Sequence, residues 1–84
     1  MNIQFALLAR FNSPTVQLRE ISQEFFGISP KTAQQKAKTA QLPVPAFKLI
    51  ESERSPTLVN VSDLAEWIEK RSKEARTEWQ QVNG

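Results

Sequence analysis

Cysteine and histidine are both missing from the 84 residues. Without thiolates there are no disulfides, no cysteine zinc site and no cysteine nucleophile. Without imidazole, serine–histidine hydrolysis and histidine-based acid–base or metal chemistry drop out as well. Long apolar runs are missing too. The stretch Ile3–Ala9 is too short for a secretory signal core, and nothing approaches the roughly 18 consecutive apolar residues of a membrane span. Carboxylates and lysines are the chemistry that remains, and a chain of this length builds one small core and seldom a catalytic pocket. The expectation is a soluble, cytoplasmic binding module, not an enzyme, with no metal, no cofactor, no small-molecule substrate and no membrane.

What is present is unevenly placed charge. The net charge is only +2, yet residues 25–50 hold Lys31, Lys36, Lys38 and Lys48 and not one acid. From Glu51 onward seven acidic residues face five basic ones, a net of −2. A positive middle beside an acidic end is the asymmetry expected when one face meets phosphates.

Periodicity and breakers divide the chain. Ile3, Leu7, Leu8 and Phe11 recur at helical spacing and Asn2 can cap, so a helix is expected over 2–11. Asn12-Ser13-Pro14 breaks it. Leu18, Ile21, Phe25 and Phe26 mark one face of a second helix that Gly27 closes, since glycine enters the left-handed region without a Cβ penalty. Ser29-Pro30 then opens a third, serine as cap and proline at the first helical position. Leu42-Pro43-Val44-Pro45 limits that helix to about Gln41. Two helices joined by a tight glycine turn over 18–41 outline a helix-turn-helix. Residues 47–51 and 57–61 flank a polar, proline-containing tip and predict a β-hairpin over 47–61. A last helix is expected over 63–82, capped by Ser62 or by Asp63 with Glu66, its inner stripe carrying Leu64, Trp67, Ile68, Arg71, Ala75 and Trp79. The order is that of a single winged helix-turn-helix domain spanning 1–84: mainly α, with a small hairpin, an extra N-terminal helix and a long C-terminal one.

The third helix carries the functional expectation. At about 100° per residue with Lys31 at zero, Gln34 falls at about 300°, Gln35 at about 40° and Lys38 at about 340°, whereas Ala33, Ala37 and Ala40 fall on the opposite side. Glutamine matches an adenine edge through two bonds and lysine reaches guanine acceptors, so Lys31, Gln34, Gln35 and Lys38 are the candidate base readers in a major groove. Thr32, Lys36 and Thr39 flank them and suit phosphates, as does Ser29 at the helix N-terminus. In the hairpin, Lys48 and Arg54 are the candidate wing contacts. One such helix covers only a few base pairs, so a homodimer or higher assembly on DNA is expected. Two surfaces could serve it: the Ile3, Leu7, Leu8, Phe11 stripe, which is the more apolar, and the Ala75, Trp79, Val82 extension.

The segments Phe26-Gly27-Ile28-Ser29-Pro30-Lys31-Thr32, Leu42-Pro43 and residues 61–68 resemble the excisionase and MerR-like winged helix-turn-helix pattern. Over nearly the whole chain, Phe5–Phe11, Leu18-Arg19-Glu20-Ile21, Phe25-Phe26-Gly27, residues 42–47 and Val61-Ser62-Asp63-Leu64-Ala65 are similar to the pyocin activator family. That resemblance implies a sequence-specific transcriptional activator of phage-tail-like bacteriocin or prophage genes, tied to the DNA-damage response. Double-stranded DNA is then the partner, and RNA polymerase a further one. An excisionase-like DNA-bending factor and a protein–protein adaptor are the alternative readings.

Overall fold

The structure is a computed structural model describing residues 2–83. Six elements follow in order: α1 (Ile3–Phe11), β1 (Thr15–Gln17), α2 (Leu18–Phe26), α3 (Pro30–Lys38), β2 (Leu58–Asn60) and α4 (Val61–Asn83). It is mainly helical, with a two-stranded antiparallel sheet. The helix starts follow their caps. Asn2 Oδ1 accepts from the Phe5 amide at 3.3 Å, and Ser29 Oγ accepts from the Thr32 amide at 3.2 Å. Gly27 closes α2 at φ +69°, its amide donating to the Gln23 carbonyl.

The hairpin expected over 47–61 is replaced by a different pairing. Along its length β2 pairs with β1, in the register Thr15↔Asn60, Val16↔Val59, Gln17↔Leu58. Of the segment 47–51 only Phe47 pairs, exchanging two backbone bonds with Leu58 at 2.7 and 2.9 Å. The physical reason is burial. Val16, Leu58 and Val59 are all enclosed, whereas Leu49 and Ile50 stay 77% and 68% exposed and have no core to enter. Two further boundaries shift. α3 ends at Lys38, and Ala40 lies in the left-handed region at φ +55°, exposed and off the inner face assigned to it. α4 begins at Val61, directly out of β2, so Ser62 and Asp63 lie inside the helix rather than before it, and Asp63 instead accepts from Asn60 Nδ2 at 3.5 Å.

The core gathers every element. Leu18 and Ile21 of α2, Ala33 of α3, Val59 of β2 and Val61 and Leu64 of α4 are all fully enclosed. A fully buried alanine lets α3 lie close on α2, which leaves the longer α3 side chains pointing away from the core. α1 packs along α4. Trp67 meets Phe26 edge-on at 5.1 Å. Arg10 covers the Phe11 and Phe25 rings at 5.0 and 5.5 Å and pairs with Glu24, and that hydrogen bond holds the Glu24 carboxyl below its ordinary pKa.

Two turns give opposite expectations. A Cβ at Gly27 meets nothing within 4 Å, so Gly27→Ala costs only the left-handed backbone strain, about 1 kcal/mol. Ala40 already bears that strain. Ala40→Gly is therefore expected to stabilise slightly, by roughly 0.5 kcal/mol after the entropy glycine loses on folding. Urea unfolding of the two variants should move the midpoint in opposite directions.

Candidate nucleic-acid interface

α3 presents the predicted residues unequally. Lys31, Gln35 and Lys38 are exposed, while Lys36 and Thr32 are half-buried. Gln34 is not a free side chain. Its Oε1 accepts a 2.8 Å hydrogen bond from the hydroxyl of Thr57, a residue only 5% exposed. Gln34 therefore ties α3 to the segment leading into β2, which leaves its amide nitrogen and the second lone pair of Oε1 to meet a base. Removing the tie leaves the Thr57 hydroxyl buried without its partner. Gln34→Ala is expected to lower unfolding free energy by about 1–2 kcal/mol, and to weaken all DNA sequences alike rather than at one base pair. Thermal melting and binding to a panel of duplexes would check both halves.

The α3 N-terminus is largely committed to its own cap. Pro30 has no amide hydrogen, the Thr32 amide goes to Ser29 Oγ, and the Ala33 amide goes to the Ser29 carbonyl at 2.9 Å. Ser29 Oγ also donates to Thr32 Oγ1 at 2.9 Å. The Lys31 amide and the Thr32 hydroxyl hydrogen are what this terminus has left for a phosphate. Thr39 turns back on its own helix, its hydroxyl donating to the carbonyls of Gln35 and Lys36 at 3.4 and 3.3 Å.

Two clefts meet at the Gln34–Thr57 bond. One, about 190 Å³, has Lys38 on the α3 side and Lys48 on the other, with Ala37, Ala46 and Phe47 between them. The second, about 340 Å³, is lined by Gln17, Arg19, Gln34, Glu53, Arg54 and Thr57 among others. Lys48 also donates to the Ser52 carbonyl at 3.3 Å. Thus Lys38 and Lys48 line one cleft and Arg19 and Arg54 the other, and among the described residues Glu53 is the only acid lining either. The Gln17 Oε1 in the second cleft is buried and has no partner.

Arg19 is the residue that composition and periodicity did not single out. It sits in the first turn of α2, where the helix dipole disfavours a cation.

The apolar stripe of α1 is not a free surface. Leu7 is 7% exposed, and Ile3, Leu8 and Phe11 pack against the same chain's core. α4 supplies a wall that matches the stripe, which is why it folds inward. Trp79, by contrast, is 64% exposed.

The family model described as pyocin activator protein PrtN matches residues 4–75, from α1 through the greater part of α4. The chain belongs to the pyocin activator protein family. The match spans every residue that lines the two clefts. Neither the curated proteins nor the solved structures compared with it contain a match. Among the described residues no cluster of acids could hold a metal ion, and no helix is long and apolar enough to cross a membrane.

Proposed function

We propose that this pyocin activator family member is a DNA-binding transcriptional activator with a winged helix-turn-helix architecture. In this reading α3 enters the major groove, and the segment from Phe47 to Thr57 acts as the wing. The observation that carries the reading is the acid-free face of α3, with Lys31, Gln35 and Lys38 exposed beside Lys48 and backed by the enclosed Ala33. Lys31, Gln35 and Lys38 read base edges. Lys36, Lys48, Arg19, Arg54 and the Thr32 hydroxyl take phosphates, fixing register without carrying sequence information. Activation of bacteriocin or prophage genes follows from the family, with RNA polymerase as the further partner.

Charge reversal on the face tests it. Wild-type protein should retard duplex DNA upstream of bacteriocin genes, and Lys31→Glu/Lys38→Glu should abolish retardation with an unchanged circular-dichroism spectrum. Equal retardation by both proteins would remove α3 from the interface.

A further inference from the structure

α4 is much longer than the core it serves. Its buried residues, Val61, Leu64 and Ala65, all lie within its first five positions. Trp67 and Ile68 are its last side chains packed against the core. The remainder projects, and the radius of gyration is 14.5 Å with a longest extent of 51 Å. A compact chain of this length would have a radius of about 12 Å. The projecting residues from Glu69 to Asn83, about fifteen, form only a marginal helix on their own in water.

The projecting part nonetheless carries an unbroken pattern. Val61, Ala65, Ile68, Ser72, Ala75, Trp79 and Val82 follow one another at alternating steps of four and three, the repeat of a coiled-coil seam. The first of these face the chain's own core. Ser72, Ala75, Trp79 and Val82 continue the same face into solvent, Trp79 at 64% and Val82 at 84% exposure. Small residues sit at the centre of the projecting seam and large ones toward its end.

We propose that α4 pairs antiparallel with α4 of a second copy, Ser72 of each opposite Ala75 of the other and Trp79 of each reaching the part of Ile68 that the other's core leaves exposed. Flanking charge selects this occupant and this register. Arg71 and Glu78 lie along one side of the seam, Glu69 and Arg76 along the other. In the proposed register Arg71 meets Glu78 of the other copy and Glu69 meets Arg76, so the two-fold axis makes four opposite-charge pairs. Sliding the antiparallel pair by one heptad sets Arg76 against Arg76 and Glu78 against Glu78. A parallel pair sets Arg71 against Arg76. Only the proposed arrangement matches charge on both sides. Within one chain Arg71 bonds Glu74 at 2.7 Å, an exposed pair that is readily exchanged.

The inference stands apart from the DNA reading, and its test uses the full chain without DNA. In sedimentation equilibrium the wild type should dimerise. Arg76→Glu should weaken the dimer at least tenfold, Glu69→Arg likewise, and the double variant Glu69→Arg/Arg76→Glu should recover most of the loss. All four proteins keep their core, so circular dichroism should show the same fold. A wild type that stays monomeric would overturn the proposal. So would a dimer that Arg76→Glu strengthens or leaves unchanged, or a double variant no better than either single one. Failure of the wild-type dimer to bind DNA would contradict the functional reading and leave this one intact.

Discussion

Raising salt from about 50 to about 200 mM is expected to weaken binding to duplex DNA roughly 250-fold per subunit. The figure follows from the charge around α3. Residues 25–50 carry four lysines and no acid, and Arg19 and Arg54 line the neighbouring cleft. Engaging four or five phosphates releases a similar number of counterions and gives a log–log slope on the order of −4. The acidic α4 cannot supply such a slope, because its excess of carboxylates would repel the duplex. A slope near zero, measured by fluorescence anisotropy across a salt series, would mean that phosphates do not meet this face.

Leu64→Ala is expected to be the most damaging single change to stability among the core residues of α4. Leu64 is fully enclosed, in the one core that α2, α3, β2 and α4 share. Truncation loses the transfer free energy of the side chain and leaves a cavity, together about 3 kcal/mol. A domain of this length has a total stability of only about 4–13 kcal/mol, so the melting temperature should fall by roughly 12–24 °C. Leu49→Ala removes the same atoms from a side chain that is 77% exposed, and should stay within about 0.5 kcal/mol of wild type. Scanning calorimetry of the two variants gives the contrast directly. Similar melting temperatures would mean that the core is not where the structure places it.

Local signals were legible in the sequence and non-local ones were not. Asn2, Gly27 and Ser29-Pro30 act within a turn of themselves, and α1, α2 and α3 start or stop at each of them. The partner of β2 was not legible. Thr15–Gln17 is three residues long and lies more than forty positions away, and a polar tip with a proline made residues 47–51 the nearer choice. The α1 stripe was expected as an oligomer surface and packs on the chain's own core instead, because periodicity gives a face and not what covers it. In the candidate site, the exposure of Lys31, Gln35 and Lys38 followed from the helical wheel, since alanines on one side force the long side chains to the other. The engagement of Gln34 did not. It depends on Thr57, twenty-three residues away, being held beside α3 by the pairing of β2 with β1. Arg19 was hidden for the same reason, its cleft existing only once α2, α3 and the segment before β2 are assembled.

In the proposed function α3 reads base pairs through its exposed face. Selection of bound duplexes from a random pool, run in parallel for the wild type, Gln35→Ala and Lys36→Ala, tests it most directly. The wild type should enrich one motif. Gln35→Ala should enrich the same motif with preference relaxed at a single base pair, by about 1–3 kcal/mol, while Lys36→Ala should keep every preference and bind all sequences more weakly. No enriched motif for the wild type, or a motif that Gln35→Ala leaves untouched at every position, would contradict the account.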